Sequence, residues 1–126
     1  MPDDVHHITL RVSDLDRARE FYAGILGLEV DQDFPGRKLR LRFAGTATRL
    51  VLCPPLPGTP AGDRFTEQRI GLDHLAIGIG SRAGLDRMTA ALRAAGVPVE
   101  VNHDALGNAI AHFRDPDNIQ WELFEE

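Results

Sequence analysis

Cysteine, tryptophan and tyrosine each occur once in the 126 residues. The lone Cys53 excludes an intrachain disulfide, so packing alone must hold the fold, and a reducing cytoplasm is the expected home. Positive charge is also short: 14 Lys and Arg face 19 Asp and Glu, a net charge of −5. That balance argues against a nucleic-acid partner, which would call for a basic excess. No apolar run approaches the roughly 20 residues of a membrane helix, so no membrane partner is expected. The acidic start Met1-Pro2-Asp3-Asp4 lacks the basic-then-apolar layout of a secretory signal. What these absences leave is a soluble globular chain, sized for one domain or for two small halves sharing a core.

The chain is patterned by alternation. Val5 to Val12 reads as a strand, with Ile8, Leu10 and Val12 on one face and His7, Thr9 and Arg11 on the other. Ser13 or Asp14 then supplies a helix N-cap. Leu15, Ala18, Tyr22, Ile25 and Leu26 form one apolar helical stripe, and Gly27 stops it. A short strand follows over Leu28 to Asp33. Lys38 to Phe43 sets Leu39, Leu41 and Phe43 against Lys38, Arg40 and Arg42, and Arg49 to Cys53 is the next strand. The Pro- and Gly-rich stretch from Pro54 to about Gly71 reads as a linker or as a mobile loop over a site. The grammar then restarts. A strand over Leu72 to Ile79 bears His74, Ser81 caps a helix striped by Leu85, Met88, Leu92 and Ala95, and Gly96 stops it. Strands over Pro98 to Asn102, over Asn108 to Arg114 and after Asp115 close the chain.

His7 and His74 hold the same place in their halves, as do Gly27 and Gly96, and Phe43-Ala44-Gly45 corresponds to Phe113-Arg114-Asp115. This is an internal repeat. The fold class it predicts is α+β: two βαβββ modules whose curved mixed sheets form a concave cavity. All of residues 1–126 form a single domain, with module one over about 4–54, a linker over about 55–71 and module two over about 72–126. One such sheet cannot close its own uncovered face, so the halves pair within a chain or across a homodimer, and a homodimer is expected.

The last strand carries the chemistry. Asp115-Pro116-Asp117-Asn118 is a turn signal. After it Ile119, Trp121 and Leu123 point to the core and Glu122 to the other face. A carboxylate in that place is either solvated or holding a cation. Parity puts His7 and His74 on the matching uncovered faces. Two imidazoles and a carboxylate make a facial triad suited to Fe(II), and also to Mn, Ni, Co or Zn. Arg11, Arg40, Arg42 and Arg49 share the uncovered face of the first half, as an anion clamp or as solvated arginines. His112 faces inward too, as a general acid or base or as a hydrogen-bond partner of a ligand. His6 alternates toward the core side and His103 sits near a turn, so neither has an expected role. Gly78-Ile79-Gly80-Ser81-Arg82-Ala83-Gly84 imitates a dinucleotide fingerprint, but its spacing is off by one residue and a doubly wound sheet has no room.

His6-His7-Ile8-Thr9-Leu10-Arg11-Val12-Ser13-Asp14-Leu15, with Phe21-Tyr22 and Leu26-Gly27-Leu28, resembles the opening of the vicinal oxygen chelate superfamily. Asp115-Pro116-Asp117 through Glu122-Leu123 resembles its closing motif. That superfamily includes glyoxalase I, extradiol dioxygenases, fosfomycin-resistance transferases and bleomycin-resistance proteins. The resemblance implies metal ligands at His7, His74 and Glu122, and chelation of a substrate through vicinal oxygens. Val51 falls where glyoxalase I has a fourth ligand, which counts against that activity. Asn118-Ile119 replaces the usual Gly-Asn of the closing hairpin. The expectation is a metal-dependent enzyme for a small anionic substrate, favoured as a ring-cleaving dioxygenase. A lyase, isomerase or thiol transferase is close behind, and the contrasting class is a metal-free drug- or metabolite-binding protein.

Overall fold

The computed structural model describes residues 1–126, and the chain is α+β. It divides into two compact units, Met1–Asp63 and Arg64–Glu126. Each is a βαβββ module.

In the first, β1 (His7–Arg11) leads into α1 (Leu15–Arg19), and β2 (Glu29–Phe34), β3 (Lys38–Arg42) and β4 (Arg49–Cys53) follow. The sheet order is β1-β4-β3-β2, with β1 parallel to β4 and the other pairs antiparallel. Asp14 caps the helix, its side chain accepting from the Arg17 N–H at 3.0 Å, which satisfies one of the donors a helix start leaves orphaned. The apolar stripe predicts an α-helix through Leu26. Instead, Glu20–Ile25 forms a wider π-helical turn, marked by the Leu26 N–H donating to the Phe21 carbonyl at 3.0 Å. Both members of the adjacent Phe21 and Tyr22 pair are buried, in edge-to-face contact with centroids 5.1 Å apart. A regular α-turn would splay two neighbours by about 100°, and the wider turn lets both reach the core.

The second module repeats the order: β5 (Leu75–Ile79), α2 (Arg82–Ala94), β6 (Glu100–His103), β7 (Ala109–Arg114) and β8 (Gln120–Glu125), with sheet order β5-β8-β7-β6. Ser81 caps α2 by accepting from the Gly84 N–H. Gly27 and Gly96 both follow their helices with left-handed φ, 76° and 81°, a conformation glycine takes without a side-chain clash. The closing turn makes the same demand on Asn118, at φ 70°. Asn tolerates that region better than most residues, and its amide also donates to the Phe65 carbonyl at 3.0 Å. The Asp115 carboxylate accepts from the Asp117 and Ile119 N–H groups. The replacement of Gly by Asn therefore leaves the hairpin intact.

Each sheet buries one face under its own helix. In the first module Leu39, Leu41, Leu50 and Leu52 are buried on that face, and in the second Ala109, Ala111, Phe113, Trp121 and Leu123. The stretch expected to be a linker divides between the units. Its second part is tied to the second module: the Phe65 N–H donates to the Asp117 carbonyl, and Glu67 pairs with Arg114. No helix is long and apolar enough to cross a membrane.

Trp121 is 1% exposed, whereas Ile70 is fully exposed. Trp121→Ala is expected to cost about 3–5 kcal/mol through the cavity it leaves. Ile70→Ala should stay within about 0.5 kcal/mol of the parent. Urea unfolding midpoints check both.

Candidate functional site

The strand registers place the candidate residues. In the second module Leu75 pairs with Trp121 and Ala76 with Glu122 on the parallel β5–β8 ladder. Trp121 and Leu123 are buried toward α2, so Glu122 faces away from the helix, as does His74 just before β5. The two meet: His74 Nε2 lies 3.4 Å from Glu122 Oε2. His112, opposite Glu122 on β7, brings Nδ1 to 3.2 Å from Glu122 Oε1. Glu122 is thus bracketed by two imidazoles. In the first module Ile8 pairs with Leu50 and Thr9 with Val51. His7 therefore holds the position of His74, and Val51 that of Glu122.

Two ligands bound to one ion at about 2.0–2.2 Å stand roughly 3 Å apart. The His74–Glu122 pair has that spacing, and its nitrogen and oxygen donors suit a first-row divalent metal. His7 belongs to the other unit, and no three His, Cys, Asp or Glu side chains are gathered as one metal-holding group.

The four arginines lie on the uncovered face of the first module, and carboxylates meet three of them. Arg40 and Arg49 both reach Asp31, at 2.7 and 3.0 Å, and Arg42 pairs with Glu29. Asp31 is the extra residue of a β-bulge in β2, between the Val30–Leu41 and Gln32–Arg40 pairs. A bulge re-aims a side chain, and here it points one carboxylate at two guanidiniums. Burial pulls the Asp31 pKa upward, but hydrogen bonds from Arg49 and Arg40 outweigh it and hold the carboxyl below its ordinary value. Arg11 donates instead to the Pro54 carbonyl at 3.0 Å, an acceptor without formal charge. Strict alternation does not carry past the bulge: Asp33 lies opposite the buried Leu39 and pairs with Arg19 of α1 instead.

One histidine sits differently from expectation. His6 is exposed, and its Nδ1 lies 2.8 Å from Nδ1 of His7. Strand β1 begins only at His7, so strict alternation does not extend back to His6.

The chain matches the Glyoxalase/Bleomycin resistance protein/Dioxygenase superfamily over residues 4–123. It belongs to that superfamily. It is 30% identical to YwkD of Bacillus subtilis (strain 168) over 97% of this chain and 96% of that one. A Brassica oleracea var. gemmifera protein named "Putative lactoylglutathione lyase" is 31% identical over 94% of this chain, which spans only 43% of that protein. The crystal structure of a glyoxylase/bleomycin resistance protein/dioxygenase domain from Frankia sp. EAN1pec shares the fold with a TM-score of 0.87. It is 29% identical and covers 99% of this chain and 98% of its own.

Within this member of the superfamily, polar contacts that the sequence reading did not name lead from Arg114 through Gln120 and Asp73 to His74. A cleft of about 550 Å³ on the second module is lined by His112, Arg114, Asn118 and Gln120 among others. Arg114 forms a two-pronged pair with Glu67, at 3.0 and 2.9 Å. The Arg114 hydrogen bond, with help from the backbone, holds the Glu67 carboxyl at about 2, below its ordinary 4.5. A pKa depressed by folding stabilises the fold above the unfolded value and ceases to do so as pH falls through the folded one. Glu67→Gln is therefore expected to lower the thermal midpoint at neutral pH. The gap should close as pH falls from about 4.5 to about 2, which a thermal unfolding series across that range checks.

Proposed function

We propose that this protein is a divalent-metal-dependent enzyme for a small oxygen-rich anion, with His7, His74 and Glu122 as the metal ligands. The observation that carries this reading is the approach of His74 Nε2 to Glu122 Oε2, 3.4 Å, on a sheet face its own helix leaves open. His7 supports it by occupying the register position of His74 in the first module. When bound, the ion supplies Lewis-acid and template chemistry for two vicinal substrate oxygens. Two neutral imidazoles and one carboxylate leave a dication with net positive charge, which favours an anionic substrate. His112 stands 3.2 Å from Glu122, where its imidazole can take or return a substrate proton.

The first module supplies the anion contacts. The guanidiniums of Arg40, Arg42 and Arg49 share the two carboxylates of Glu29 and Asp31, and Arg11 meets only the Pro54 carbonyl, leaving a surplus of two positive charges. Arg11 is the freest of them. Three protein ligands leave positions open at a metal, as in the non-haem Fe(II) oxygenases. Fe(II) and the ring-cleaving dioxygenase type are therefore favoured, with Mn, Ni, Co or Zn serving a lyase, isomerase or thiol transferase on the same residues. The buried Val51 in the place matching Glu122 offers no fourth ligand. A homodimer in the cytoplasm is the working form in this reading. A metal-free binding protein is the second reading, because the Glu122 carboxylate already has a side-chain neighbour in His112 Nδ1 at 3.2 Å.

Titration calorimetry with Fe(II), Mn, Co, Ni and Zn separates the two readings. The first expects about one ion per chain, lost in His7→Ala, His74→Ala and Glu122→Ala. Absence of binding by every ion establishes the second. An anaerobic screen of catechols with Fe(II), followed by O2, tests the favoured reaction. In the active enzyme, His112→Ala should lower kcat by about 10²–10⁴-fold with metal content unchanged. Loss of a charged hydrogen bond costs about 1.5–3 kcal/mol, so Arg11→Ala should weaken substrate binding roughly tenfold or more. Light scattering at micromolar concentration checks the dimer.

A further inference from the structure

Behind His74 runs a chain of hydrogen bonds whose directions are dictated by chemistry. Arg114 Nη2 donates to Gln120 Oε1 at 3.3 Å. A guanidinium has only donors, so it turns the amide oxygen of Gln120 toward itself and the amide NH₂ away. That NH₂ donates to the Asp73 carboxylate at 3.2 Å and to the Asp73 carbonyl at 3.3 Å. Asp73 Oδ1 in turn lies 2.6 Å from His74 Nδ1. An ionised carboxylate only accepts, so the ring proton of neutral His74 belongs on Nδ1. The lone pair is left on Nε2, the nitrogen that approaches Glu122. Glu67 anchors the far end of the chain through its two-pronged pair with Arg114.

We propose that Arg114, Gln120 and Asp73 are positioning residues that fix the tautomer and ring orientation of His74, presenting the Nε2 lone pair to the metal. This rests on His74 being a metal ligand, as proposed above. A histidine ligand whose other ring nitrogen is held by a carboxylate keeps its orientation and gains basicity. The first module lacks the device. There His6 Nδ1 faces His7 Nδ1, and a neutral imidazole nitrogen can either donate or accept, so that contact leaves the His7 tautomer unset. One ligand is thus preset and its counterpart is free to adjust.

The test reads the ring directly. Nitrogen-15 NMR of histidine side chains in the metal-free protein distinguishes Nδ1–H from Nε2–H imidazole at fixed neutral pH. The expectation for the unmodified protein is His74 in the Nδ1–H form and His7 as a mixture. In Asp73→Asn and Gln120→Leu the Nδ1–H population of His74 should fall while His7 stays unchanged. Asp73→Asn should also weaken Co(II) affinity by roughly 10–100-fold, and Asp73→Glu should restore part of both. The proposal is overturned if unmodified His74 carries its proton on Nε2, or if Asp73→Asn leaves both tautomer and Co(II) affinity as they were. If the unmodified protein binds no Co(II), the metal-site reading fails by itself. The tautomer still decides whether the relay exists, and that readout needs no variant to fold.

Discussion

The parallel pairing of β5 with β8 is the constraint on which the second module depends. It sets Leu75 beside Trp121 and Ile77 beside Leu123, so the ladder and the core are satisfied by one register. A slip of a single residue would turn Trp121 and Leu123 outward and bury the Glu122 carboxylate under α2. An unpaired buried charge is costly enough to exclude that arrangement. The apolar requirement of the core thus holds Glu122, His112 and His74 on the opposite face. The first module obeys the same rule through Ile8 with Leu50 and Leu10 with Leu52.

Electrostatics fills the faces that the core leaves open, and the two modules do so differently. In the first, guanidiniums outnumber carboxylates, and the bulge at Asp31 lets one acid serve two bases. In the second, Glu67, Arg114, Gln120, Asp73, His74, Glu122 and His112 form a continuous run of polar contacts. The open face of the first module therefore carries arginines held largely by their own acids, and that of the second carries a row of donors and acceptors leading to His74.

The repeat, the α+β class and the division of each sheet into an apolar and a polar face were legible in the chain. Strand alternation has a period of two, and helix stripes have their own longer period. Four features were not legible. The wide turn at Glu20–Ile25 arises because two adjacent aromatics compete for one core. The ion pairs of Arg40 and Arg49 with Asp31 depend on a bulge, which alternation does not announce. His6 escapes the alternation because the strand starts after it. The tie between the Arg64–Asp73 stretch and the second module depends on partners about 50 residues away in sequence, Arg114 and Asn118.

By itself the sequence determined which side chains share a face, because face membership is a local property of dihedral periodicity. It therefore assigned His74, His112 and Glu122 to the open face of one sheet and His7 to the open face of the other. Only the tertiary structure decided which of them touch, what holds each ring, and which arginines keep a free charge. Those outcomes rest on strand order, on one bulged residue and on a loop returning to its own sheet. All three are set by long-range packing and pairing, for which no short stretch of the chain carries a signal.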